Sequence, residues 1–186
     1  MELIPSLGFG WLNGWIPLCL LFVVQGSLLL VFPKDVVARL FDRSRWDSRQ
    51  KGWTAVAKLF SLGCLVLLVL TPLKLGTTAF VIGTVLYILG LAALVHTLLA
   101  FRDTPLDQPV GRGLYRISRH PQIVSLFILF LGMCLTIGSG LALLMLLASR
   151  LLQHISILAE EEACLAQYGD SYRTYAQRVP RYLLFF

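Results

Sequence analysis

Apolar residues run in long unbroken blocks along this chain, and charged residues collect between the blocks. Positions 3–33 hold no charged side chain, and the core of that block, 11–32, predicts a first helix long enough to cross a bilayer, which takes about 20 apolar residues. The second block, 59–73, is bounded by Lys58 and Lys74. Lys58 can snorkel from a helix over 54–72. The third, 75–101, has His96 as its only ionisable side chain and predicts a helix over 77–101. The fourth, 121–149, is interrupted by Gly138-Ser139-Gly140. By length alone it is either one helix or two arms, 122–137 and 140–158. Val36, Val37, Leu40 and Phe41 fall at helical spacing among Lys34, Arg39 and Arg43, the pattern of a short amphipathic helix at a membrane interface.

Composition agrees with this pattern. Of 186 residues, 57% are hydrophobic and 14% charged, against about 25% charged in a soluble domain, and the mean hydropathy is +0.76. Charge then chooses between the alternatives. Six basic residues lie in 34–51, four in 102–119 and four in 150–181, whereas the remaining connections hold only Lys74. Lys and Arg concentrate in cytoplasmic loops. Five helices, with Gly138-Ser139-Gly140 as the turn of a short hairpin between the fourth and fifth, put all three basic segments on one side. The N-terminus is then outside and the C-terminal helical segment cytoplasmic; four helices would put the last basic segment outside. The reading is an all-α integral membrane protein of one domain, with cytoplasmic segments 102–121 and 159–186. The net charge of +6 is sorted by topology and gives no sign of nucleic-acid binding. Met1-Glu2 lacks the basic start of a cleavable signal. Cys19, Cys64, Cys134 and Cys164 share no CxxC spacing, so no metal site or disulfide network is expected.

Ionisable groups in and beside membrane helices mark function. Arg150, His154 and Glu161 are spaced to lie close to one helix face, and Arg150 and His154 are candidate substrate contacts. Glu160-Glu161-Glu162 falls where the fifth helix is expected to end, opposing its dipole unless a cation compensates or the helix continues through Cys164 and Tyr168. Gly169 reads as a C-cap, and Asp170 or Ser171 as the N-cap of a last helix carrying Tyr172, Tyr175 and Arg178. Pro121 suits the first position of the fourth helix, and His96 reads as a structural hydrogen-bonding residue. Walker, GxGxxG, HExxH and Gly-x-Ser-x-Gly motifs are absent.

Gly113-Leu114-Tyr115 through Arg119-His120-Pro121, then Glu161-Glu162-Ala163-Cys164-Leu165, Tyr168-Gly169-Asp170-Ser171-Tyr172, Tyr175 and Val179-Pro180-Arg181 together resemble the isoprenylcysteine carboxyl methyltransferase and phospholipid methyltransferase superfamily, over roughly residues 75 to 182. The resemblance implies an integral-membrane enzyme that transfers a methyl group from S-adenosylmethionine to a lipid or small lipophilic acceptor. Carried over by position, it implies cofactor contacts at Asp107, Gln108, Pro109, Val110, Tyr115, Arg119, His120, Pro121, Gln122, Ile123, Glu161 and Tyr172, and catalytic roles for Glu161, Glu162 and Arg181. Ile123 and Ser125 stand where the family often has Tyr and Gly. Ile157 stands where the prenylcysteine enzymes carry a carboxylate-binding Arg, which points to an amine headgroup, a thiol or another lipophilic acceptor unless Arg150 or Arg181 substitutes. A sterol-reductase-like enzyme using NADPH and a non-catalytic lipid-binding subunit are the alternatives. A prokaryotic inner membrane is the expected location.

Overall fold

In the computed structural model, which describes residues 1–44 and 46–183, the first apolar block begins as a loop. Residues before α1 (Trp15–Val31) fold across one end of the bundle. The Asn13 side-chain amide donates to the carbonyls of Gly8 and Val69 at 2.7 and 3.0 Å. At Gly14 a Cβ would stand 2.6 Å from the Leu68 carbonyl oxygen. These contacts hold the chain against the end of the second long helix, so the helix starts at Trp15 and not at Trp11. A short helix is present where one was expected, as α2 (Lys34–Leu40), entered through Pro33, with Val36 buried.

The next helix, α3 (Ser48–Leu70), starts two turns before the expected 54. A capping box explains this: the Gln50 amide donates to the Asp47 carboxylate at 2.6 Å, and the Asp47 amide to the Gln50 side chain at 2.9 Å. Asp47→Ala should therefore lower stability by about 1 kcal/mol, read as a small drop in thermal midpoint in detergent. A larger drop would show that the first turn carries more than the cap.

Helix α4 (Thr78–Arg102) matches expectation to within a residue, capped by Thr77. Helix α5 (Pro121–Ile137) begins on its proline. Gly138 then adopts φ +64° and Ser139 accepts a hydrogen bond from Ala142 N, which makes the expected tight turn. Helix α6 (Gly140–Tyr168) does not stop at 158 but runs ten residues further. The acidic triplet therefore lies inside a helix, where its dipole conflict disappears. Gly169, at φ +56°, both closes α6 and precedes α7 (Asp170–Arg178), so Asp170 opens α7 instead of capping it.

Among the described residues there are seven α-helices and no strand. Helices α3, α4 and α6 are long and apolar enough to cross a membrane; α1 and α5, at 17 residues each, are shorter. The main packing pairs are α4 with α5 and α3 with α6, so the two helices joined by the glycine turn each lie chiefly against a different neighbour. Leu129, Met133, Cys134 and Ile137 of α5 are fully buried. One end of the bundle joins the N-terminus to Lys74 and Gly138. The other gathers all three basic segments: Arg39 meets Gln108, Gln50 meets Glu162, and Arg119 meets Glu161.

Candidate functional site

The site is assembled where the loop entering α5 pairs with the chain leaving α7. Arg119 N donates to the Pro180 carbonyl at 2.9 Å, and Ser118 Oγ donates to the Arg181 carbonyl at 2.8 Å while accepting from His120 N at 3.2 Å. This pairing aims Arg119 and His120 from one segment, and Arg181 from the other, at Glu161 on α6. Arg181 Nε and Nη2 grip the two carboxylate oxygens at 3.0 and 2.8 Å. Arg119 Nη1 adds a contact at 3.2 Å and His120 Nε2 one at 3.1 Å. The Glu161 side chain is 12% exposed. Burial pushes its carboxyl up, but the hydrogen bonds from His120 and Arg181 and the charge of Arg119 outweigh this and bring it down to about 2. Glu161 is thus an ionised knot tying α5, α6 and the tail together.

Beside this knot lies a cavity of about 410 Å³, inside the range of about 300–1,000 Å³ usual for small-molecule and cofactor sites. One wall is a stripe of α6: Glu160, Ala163, Cys164, Gln167 and Tyr168, the i, i+3, i+4, i+7, i+8 series of a single helix face. The 106–123 segment supplies Leu106, Pro109, Val110, Tyr115, Arg119, His120, Gln122 and Ile123, and α7 supplies Tyr172 and Tyr175. The roof is the first basic segment, with Asp35, Arg39 and Leu40 from α2 and Asp42, Ser44 and Trp46 following it.

Polar contacts fix the aromatic lining. Gln122 Nε2 donates to Tyr115 OH at 3.1 Å, and Tyr175 OH donates to the Tyr115 carbonyl at 2.8 Å. Burial pushes the Tyr115, Tyr172 and Tyr175 hydroxyls up, so they stay neutral donors. Glu160 Oε2 lies 3.6 Å from His120 Nδ1. Burial pushes the Glu160 carboxyl up as well, against the pull of His120 and Arg43.

Of the residues singled out in the sequence, Pro109, Val110, Tyr115, Arg119, His120, Gln122, Ile123 and Tyr172 line the cavity. Glu161 and Arg181 stand behind its wall. Pro121 is buried at the start of α5. Asp107 and Gln108 are exposed and outside the cavity; their loop meets it through Leu106 and Pro109. Glu162 is exposed, 3.5 Å from Gln50 on α3, because two residues along a helix turn it away from the Glu160 stripe. Arg150 and His154 also lie outside the cavity. They share a face with Glu161 as spaced, but their polar groups are engaged elsewhere: His154 Nδ1 hydrogen-bonds Tyr182 OH of the tail at 2.8 Å, and Arg150 Nη1 donates to Gln153 of the same helix at 2.6 Å. His96 makes no hydrogen bond among the described residues; its ring packs on Gly113, where an added Cβ would stand 2.6 Å from Cε1.

A family model described as phospholipid methyltransferase matches residues 71–171, over half of the chain. The match runs from just after α3 through α4, α5 and α6 to the first residues of α7, and leaves α1 to α3, most of α7 and the tail outside. No curated protein and no solved structure matches the chain.

Proposed function

The chain belongs to the phospholipid methyltransferase family, and from that membership we propose that it moves a methyl group from S-adenosylmethionine to a lipid or small lipophilic acceptor at the cytoplasmic face of a membrane. In this reading α1, α3, α4, α5 and the apolar part of α6 are five spans, with α5 and α6 as a hairpin. The N-terminus is outside, and the basic end, with the cavity, is inside, in a prokaryotic inner membrane. The observation that carries the reading is the cavity beside the Glu161 knot, built largely from the family-matched segment.

The residues present fit the cofactor. Carboxylate and aromatic faces suit a sulfonium cation, and Glu160, Tyr115, Tyr168, Tyr172 and Tyr175 provide them. Arg119 Nε is buried without a hydrogen-bond partner among the described residues, a donor left for a carboxylate. S-adenosylmethionine supplies an electrophilic methyl group when bound. The chain's own part is to hold donor and acceptor in line and to keep water out.

Both Arg181 grips are spent on Glu161, and Ile157 is buried at 2% exposure. Neither is placed to hold an acceptor carboxylate, which leaves an amine or thiol favoured. An amine arrives protonated, and Glu160, the cavity carboxylate of the α6 stripe, is assigned to take that proton; the resemblance had implied a catalytic role for Glu162, two residues on. Glu160→Gln should lower methyl transfer about a hundredfold, whereas Glu162→Gln should leave it within about twofold of wild type, since surface substitutions rarely exceed a few tenths of a kcal/mol. Equal losses in both variants would reject this assignment.

The direct test is calorimetry of purified protein in detergent with S-adenosylhomocysteine. Micromolar binding is expected; folded protein giving no heat overturns the reading. Labelled S-adenosylmethionine incubated with membrane lipid extract then identifies the acceptor.

A further inference from the structure

Arg39 lies outside the family-matched stretch, on α2, yet it reaches into the matched part more firmly than any other described residue of the first basic segment. Its Nη2 donates to the Gln108 carbonyl at 2.7 Å, and its Nη1 to the carbonyls of Pro105 and Thr104 at 3.1 and 3.4 Å. The guanidinium carbon sits 5.0 Å from the Phe101 ring centre and 5.8 Å from that of Tyr168. One planar fork thus gathers the end of α4, the end of α6 and the loop between α4 and α5 beneath α2.

That loop needs an external tether. Pro105 and Pro109 have no amide to donate, and Asp107 and Gln108 are exposed. Thr104 is tied back to α4, its N donating to the Phe101 carbonyl at 3.3 Å and its Oγ1 to the Ala100 carbonyl at 2.8 Å, but beyond it the bonds are sparse: Gln108 N to the Pro105 carbonyl at 3.4 Å, and Tyr168 OH to the Leu106 carbonyl at 3.4 Å. Leu106, Pro109 and Val110 nevertheless form one wall of the cavity. A wall made of such a segment keeps its shape only if something outside holds its carbonyls.

We infer that Arg39 is a positioning residue that latches the 104–108 loop under α2 and so completes the cavity from beyond the family-matched segment. This rests on the methyl-donor reading for its effect on affinity, and on geometry alone for its effect on the loop. Lysine is a poor substitute, because a compact ammonium cannot present several donors in one plane or stack on two rings.

Hydrogen exchange on the full chain in detergent, without ligand, tests the latch first. In Arg39→Ala the amides of Thr104 and Gln108, which donate to the Phe101 and Pro105 carbonyls, should exchange about tenfold faster or more, the loss of one charge-assisted hydrogen bond or more. Those of α4 and α5 in the core should keep their rates, and Arg39→Lys should fall between. Unchanged loop exchange overturns the inference, and so does a rise spread evenly through α4 and α5, which would mark a merely structural residue. Calorimetry with S-adenosylhomocysteine follows. Affinity should weaken at least about tenfold in Arg39→Ala, by the same arithmetic; a loosened loop with undiminished affinity overturns the positioning role. Wild-type protein that takes up no S-adenosylhomocysteine sinks the methyl-donor reading instead, and the exchange result then decides the latch alone.

Discussion

Replacing Glu161 with alanine is expected to abolish binding of S-adenosylhomocysteine and to cost the fold about 3–5 kcal/mol, the usual effect of removing one partner from a buried ionic cluster. The reason is the count of charges around it. Arg119, Arg181 and His120 converge on this carboxylate, and without it the two guanidinium groups face each other with nothing between them. The Arg119 side chain is 8% exposed and cannot turn to water. The loop entering α5 and the tail leaving α7 then lose the charge that holds them on α6, although their backbone pairing through Pro180 and Ser118 remains. Glu161→Gln keeps the shape and one acceptor oxygen but not the charge, and should fall between wild type and alanine. Thermal unfolding in detergent and calorimetry read both effects. An alanine variant as stable as wild type would show that the knot is solvated and does not bear on the fold.

The same knot fixes a pH dependence and its sign. The folded carboxyl lies near 2, below the usual value of about 4.3 for an unfolded glutamate. Its stabilisation is therefore complete above roughly pH 5 and is lost as pH falls from there toward 2. Wild type should lose stability over that acid range more steeply than Glu161→Gln, whose amide does not titrate. Between pH 6 and 9 this group should contribute no slope.

How much of this was legible in the sequence depends on the kind of signal. The glycine turn at 138 and the proline start at 121 are local backbone statements, and they stand where the residues put them. The entry loop and tail were visible as polar motifs around Arg119-His120 and Val179-Pro180-Arg181. Choosing among three consecutive glutamates was a different problem. Once α6 is known to run to Tyr168, Glu160 begins the stripe that continues through Ala163, Cys164, Gln167 and Tyr168. That periodicity was present in the sequence, but ending the helix at 158 hid it. The Asp47–Gln50 capping box was also there to be read, about three turns before the apolar block that drew attention. The roof was not legible. Arg39 and Trp46 look like members of an interfacial basic loop, and no local pattern says that the chain brings them over a segment some 65 residues away.

Gly132→Val is expected to be the most damaging single change at the α4–α5 packing, at about 3 kcal/mol or more, the upper end of overpacking costs. At Gly132 a Cβ would stand 2.5 Å from the Gly83 carbonyl oxygen and 2.6 Å from Tyr87 N. At Gly83 it would meet the Gly132 carbonyl oxygen at 2.6 Å, and at Gly90 it would meet Leu129 N at 2.6 Å. These neighbours are backbone, which cannot swing aside as a flexible side chain can. Small residues at such a crossing are what let two helices approach inside a bilayer, where water does not drive them together. Forcing α4 and α5 apart reaches the site directly, because α5 begins at Pro121, next to His120, and α4 ends at the loop that walls the cavity. The variant should therefore lose S-adenosylhomocysteine binding along with its thermal midpoint, and Gly132→Ala should show the same pattern in weaker form. Gly26 on α1, where an added Cβ meets nothing within 4 Å, is the control: alanine there should be neutral or stabilising by up to about 1 kcal/mol. If Gly132→Val proves as stable as that control, the close α4–α5 crossing is not what positions the site.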